Sequence, residues 1–217
     1  NLTHRDSHAN PSPLEPGRRY RVRVKLNDIA HAFPPGHRIR VAVTNHCFPL
    51  ALTSPRPTTL TVFPAGSGLE LPLRPPRAED GRLAPFGPPV TAKGLAATEY
   101  EPAGRWRRVE HDLATGTTSV IVRRGRGRYR LHDVDLLYGS DCRHRFSVRA
   151  ADPTSVRQSS AWTITLERDD WRIRIETELA LAVTRENVLL AATIEAFEGD
   201  RRVFSRAWDK AIPRDLG

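Results

Sequence analysis

Between residues 19 and 26 apolar and basic side chains alternate. Val22, Val24 and Leu26 fall on one parity, Arg21, Arg23 and Lys25 on the other. A period of two puts successive side chains on opposite faces of an extended chain, so it specifies a strand with one covered face and one wet face. Residues 38–44 repeat the pattern, with Ile39, Val41 and Val43 inward and Arg38 and Arg40 outward. The corner between them, Phe33-Pro34-Pro35-Gly36-His37, places Pro35-Gly36 in the middle of a type II turn, because Pro presets φ and Gly accepts a positive φ. Residues 58–63 and 69–73 read as two further short strands around Gly66-Ser67-Gly68.

Residues 74–102 are rich in Pro and Gly and have no period, which reads as a linker or long surface connection. The chain therefore divides into 1–75, a connection over 76–103, and 104–217. The last part is again strand-like. Residues 106–113 and 117–124 flank a Thr115-Gly116 turn, and residues 145–150 form another strand. Trp162, Ile164 and Leu166 alternate with threonines, and Trp171, Ile173, Ile175 and Leu179 with charged residues, so the Asp169-Asp170 break joins a hairpin. Residues 188–197 and 202–208 flank Gly199-Asp200, a tight-turn signal. Residues 187–198 are rich in Leu and Ala and carry a competing helical reading; the neighbouring hairpins favour sheet. No repeat of fixed length and no heptad occurs. The expected fold is all-β: a β-sandwich followed by an antiparallel β-sheet region.

The formal net charge of +9 raises nucleic acid as a partner. Lysine occurs only at Lys25, Lys93 and Lys210, so the cations are nearly all arginine. That bias fits a GC-rich coding sequence better than selection for a polyanion, and loss of an acidic partner domain would leave the same imbalance. No apolar run approaches the roughly 20 residues of a membrane helix. Cys47 and Cys142 lack C-x-x-C spacing; the simplest reading is two free buried thiols in a reducing, cytoplasmic setting, with a single bridge as the alternative. The opening Asn1-Leu2-Thr3, without an initiator Met, reads as the start of a piece of a longer product.

No G-x-S-x-G elbow is present to hold a serine nucleophile on a strained strand-to-helix turn, and Gly139-Ser140-Asp141 and Gly66-Ser67-Gly68 read as turns. No P-loop or dinucleotide fingerprint occurs. His4, Asp6 and His8 would share one face of a strand, as metal ligands can, but a polar strand end explains them more simply. His132, Asp133, Asp135, Asp141, Cys142 and His144 form a second polar patch, read as a solvated loop because nothing supplies an oxyanion hole to a Cys-His pair. Arg123, Arg124, Arg126, Arg128 and Arg130, interleaved with Gly125, Gly127 and Tyr129, are the strongest nucleic-acid signal; a basic hairpin tip is the plainer reading. No catalytic residue, cofactor or metal is expected. If Arg21, Arg23 and Lys25 lay opposite Arg38 and Arg40, like charges would repel by some tenths of a kcal/mol per pair, so these two strands are expected to lie in opposite sheets.

Several pieces together resemble the C-terminal jelly roll of the X-Pro dipeptidyl-peptidase and cocaine-esterase-like serine hydrolases: Asn1-Leu2-Thr3-His4-Arg5, Pro16-Gly17 before a strand, the corner running from Phe33 to Arg40, and the stretch ending in Leu71-Pro72-Leu73. The likeness is specific over about the first 75 residues and weaker beyond, where the ending Trp208 to Leu216 takes part in it. The resemblance implies a parent enzyme that hydrolyses esters, amides or X-Pro peptides through Ser, His and Asp, none of which maps onto this chain. It implies a structural role for Pro35, Gly36, His37 and Arg38. It also implies that the first jelly-roll strands are missing, leaving open edges for the parent's α/β-hydrolase domain or for a homo-oligomer. The chain alone is then expected to be inactive. The rival readings are a carbohydrate-binding jelly-roll module, opposed by tryptophans (Trp106, Trp162, Trp171, Trp208) expected to point mostly inward, and a nucleic-acid binder acting through residues 123–130.

Overall fold

The computed structural model describes residues 1–216. Its order resides in one antiparallel sheet of nine strands: β1 (Ala97–Glu101), β2 (Arg105–Asp112), β3 (Thr117–Arg124), β4 (Gly127–Leu131), β5 (Leu136–Arg149), β6 (Asp152–Arg168), β7 (Trp171–Val183), β8 (Asn187–Glu198) and β9 (Arg201–Pro213). The all-β expectation holds, and the only helical pieces among the described residues are 3₁₀ turns at Leu2–His4, Ala78–Arg82 and His132–Val134. β5 through β9 form a meander of long hairpins. On the free side of β5 two ribbons sit end to end: β4 pairs with its first half and carries β1, while β3 pairs with its second half and carries β2.

The hairpins turn where small or acidic residues tolerate the left-handed region. Asp169 (φ 52°) joins β6 to β7 and Gly199 (φ 56°) joins β8 to β9. Residues 187–198 are strand, not helix: Leu181 pairs with Leu190 and Ala192 with Trp208, so tertiary pairing on both sides overrides the helical propensity of Leu and Ala. Half of the polar patch read as a loop is strand, because Asp141, Cys142 and His144 lie inside β5, whose ladder with β6 continues from Leu137 to Ser147, while His132 and Asp133 form a 3₁₀ turn that Asp135 ends. The basic segment is not a hairpin tip: Arg123 and Arg124 end β3, and Arg128 and Arg130 lie in β4, which pairs with β1 and β5 rather than with β3. At Gly127 φ is +75° and a Cβ would fall 2.1 Å from the Glu101 carbonyl oxygen, so only glycine lets the chain from β1 pass this close.

The expected strands at residues 19–26, 38–44, 58–63 and 69–73 are not paired and join no ladder. The turns beside them form as expected: His37 N–H bonds Pro34 C=O at 3.1 Å with Gly36 at φ 82°, and similar turns close at Gly17 and Gly66. Turns need only neighbouring residues, whereas a strand needs a partner backbone and a cover for its apolar side. Val24 is 71% exposed and Val43 61%. The two cationic segments lie in no sheet rather than in opposite sheets, and Arg23 reaches Glu70 at 2.5 Å.

Candidate interaction surface

Opposed residues of an antiparallel pair share a face, so the register assigns every strand side chain. One face of β5–β9 collects Phe146, Trp162, Ile164, Ile175, Leu181 and Leu190. The other collects charges, most of them neutralised locally: Arg123 to Asp141 at 2.7 Å, Arg128 to Glu167 at 2.6 Å, Arg145 to Glu110 at 3.5 Å, Arg202 to Glu195 at 2.7 Å, and Arg174 to Glu176. The charged face makes its own cover: Ile121 is fully buried there, beside Arg145, whose guanidinium extends to Ser119 at 3.1 Å. The apolar face is covered only in part: Cys142 and Val183 on it are 1% and 3% exposed, while its remainder stays more open. Phe204 is 49% exposed, and the aliphatic row running from Ile164 to Ile194 is half-buried.

The tryptophans do not point into a closed core. Trp162 and Trp171 lie on the apolar face, 39% and 40% exposed; Trp208 shares that face, and Trp106 lies on the charged one beside Arg108. Trp162 contacts the His144 ring edge-on at 6.0 Å, and the ladder places it between Cys142 and Thr177. Its neighbours on that face mix Ile164, Ile175 and Leu179 with His144, Ser160 and Thr177.

Cys142 and His144 meet on the apolar face, Sγ to Nε2 at 3.0 Å. Cys142 is 1% exposed, and the buried Nδ1 of His144 has no hydrogen-bond partner. Burial pushes the thiol pKa up, and the Asp141 carboxylate adds to that; burial and the Arg124 cation hold the imidazole below its ordinary value. The pair is therefore neutral thiol beside neutral imidazole, the reverse of the thiolate-imidazolium of a working nucleophile. β5 is bonded to β6 across Cys142 and His144 and to β3 at His144, which commits backbone amides that an oxyanion would need. Cys47, expected to be buried, is exposed.

The remaining sequence candidates separate. His4 and His8 rings lie 5.8 Å apart, but Asp6 pairs with Arg5 at 3.2 Å, and no cluster of three or more His, Cys, Asp or Glu that could hold a metal ion forms among the described residues. Of the basic segment, Arg123, Arg128 and Arg130 are engaged by Asp141, Glu167 and Asp135, which removes much of the free positive charge a phosphate backbone requires. Pro35, Gly36, His37 and Arg38 form an exposed turn. A concavity of about 420 Å³ on the charged face is an open trough floored by Ala180 and Ala191 between Arg145 and Asp209. Among the described residues no helix is long and apolar enough to cross a membrane.

The segment before the sheet touches it at one end. The Phe48 ring meets Phe146 edge-on at 6.2 Å, Thr53 Oγ1 donates to Pro153 C=O at 2.7 Å, and Arg214 donates to Thr53 C=O. Pattern reading did not find this clasp, because its members are single residues far apart in sequence.

Residues 1–80 match the family model described as the X-Pro dipeptidyl-peptidase C-terminal non-catalytic domain. The nine-stranded sheet lies beyond the matched residues. Comparison with curated proteins and with solved structures gave no match.

Proposed function

We propose that this chain is a non-catalytic β region of a serine hydrolase of the X-Pro dipeptidyl-peptidase or acyl-esterase type. It packs on the catalytic α/β-hydrolase domain and helps wall the active site or the oligomer interface. The match of residues 1–80 to a non-catalytic C-terminal domain carries this reading. The neutral Cys142–His144 pair, the absence of a serine elbow from the sequence and the open trough of the charged face agree with it.

The test is an assay of the isolated chain beside the full-length gene product, with p-nitrophenyl esters and X-Pro p-nitroanilides. The chain alone gives no turnover. The longer product gives turnover that a serine-directed inhibitor abolishes. Inhibitor-sensitive turnover by the isolated chain overturns the reading.

A further inference from the structure

We infer that the apolar face of the sheet is the docking surface, and that its occupant is a protein surface with an apolar centre and a rim of carboxylates, carried by the catalytic domain. This rests on the accessory reading above and adds to it the face used and the chemistry of the partner.

Size is the first argument. Five strands at about 4.8 Å spacing, each some 12 residues long at about 3.3 Å per residue, present roughly 24 Å by 40 Å, or about 950 Å². Stable complexes bury about 800 Å² per partner, and a soluble monomer rarely shows an apolar patch beyond about 600 Å². The outline, with polar positions such as Ser160 and Thr177 and the already buried Cys142 counted in, reaches the area of a permanent contact.

Charge then selects the occupant. On one flank the apolar face is edged by Arg105, Arg107 and Arg124, on the other by Arg206 and Lys210. None of these five makes an ion pair among the described residues, whereas the arginines of the opposite face are largely paired, as with Arg123–Asp141 and Arg202–Glu195. Arg206 instead lies over the Trp208 ring at 5.0 Å. The strand carboxylates on the apolar face are Glu99, in the outlying β1–β4 ribbon, and Glu198, at the hairpin tip and held by Arg201 at 3.0 Å. Two copies stacked face to face would bring cationic flanks together across about 10 Å with few carboxylates between them. A partner with an acidic rim meets the apolar centre and both flanks at once.

Accessibility of single cysteines tests this in a Cys47→Ser background, where Cys142 is buried. Leu181→Cys sits on the apolar face; Ala180→Cys, its neighbour, reports the charged face. Maleimide labelling of each is timed in the isolated chain and in the full-length gene product. Leu181→Cys should label at least tenfold more slowly in the longer product, and Ala180→Cys equally in both. Adding Arg206→Glu with Lys210→Glu should restore fast labelling at Leu181→Cys in the longer product while circular dichroism stays unchanged.

Equal labelling of Leu181→Cys in both forms, in a longer product that is an active serine hydrolase, overturns the docking face and leaves the accessory reading standing. A longer product without serine-inhibited hydrolysis overturns both. Slow labelling already in the isolated chain, at doubled mass in sedimentation, assigns the face to a second copy. Protection that appears only with phosphatidylserine vesicles assigns it to lipid. Either of these last two results also overturns the inference.

Discussion

The Arg214 guanidinium donates to the carbonyl of Thr53, 161 residues earlier in the chain. It also donates to Thr184 C=O at 3.0 Å, while the Arg214 N–H bonds Glu186 C=O at 2.9 Å. One nearly buried side chain thus clasps the segment preceding the sheet to the β7–β8 turn. Thr53 is buried as well, so its carbonyl has little water to fall back on.

Arg214→Ala therefore leaves buried carbonyls short of a donor, at a cost of about 1–3 kcal/mol. The expected outcome is faster trypsin cleavage in residues 38–56, with the sheet's circular dichroism retained. Unchanged cleavage there would show that the clasp holds nothing in place.

Gly127→Ala should be among the most damaging single changes. The new methyl would lie 2.1 Å from Glu101 C=O and 2.7 Å from the Pro102 carbonyl carbon, and φ +75° is itself strained for alanine. Backbone strain alone costs about 1–3 kcal/mol, and the clash with main chain adds to it. Urea midpoints of the variant and parent measure the loss. At Gly139 the nearest obstacle is the Thr165 hydroxyl at 2.5 Å, a side chain that can rotate, so Gly139→Ala should cost less.

Ile121→Ala removes a fully buried side chain from beneath the Arg145–Glu110 roof. A loss of about 2–4 kcal/mol is expected in chemical denaturation. Val109→Ala, on the neighbouring strand but 63% exposed, should change stability by well under half of that.

Acid sensitivity should come in two steps. The His144 pKa lies below its ordinary 6.5, through burial first and Arg124 second. The unfolded chain then binds the proton first, so stability is full above about pH 6.5 and falls as pH drops towards the folded value. His144→Gln should flatten that step. The Asp152 carboxyl is held at about 2, from an ordinary 3.8, chiefly by Arg149 at 2.5 Å and then by the Thr154 hydroxyl. Its contribution is present above about pH 3.8 and fades towards pH 2; Asp152→Asn should remove it. Melting temperature against pH for parent and both variants resolves the two steps.

Local signals carried most of what could be read in advance. Residues 117–124 matched β3 from end to end, and the turns at Asp169-Asp170 and Gly199-Asp200 stand where their residue types placed them. Side-chain period and turn chemistry depend on neighbours in sequence, so they survive without knowledge of the rest. Polarity misled where it conflicted with pairing: Asp141, Cys142 and His144 looked like a loop but lie in β5, because a long ladder to β6 outweighs their weak strand preference.

By itself the sequence determined the all-β class, the hairpin turns of the sheet, and the alternation that gives the meander one apolar and one charged face. Tertiary structure decided which strands find partners: residues 19–26 alternate as cleanly as residues 171–179, yet only the latter are paired. It also decided that Cys142 and His144 meet as a neutral pair and that Arg214 reaches Thr53. The physical reason is range. A turn closes over four residues, but a ladder, a buried pair or a clasp exists only when distant backbone is brought alongside.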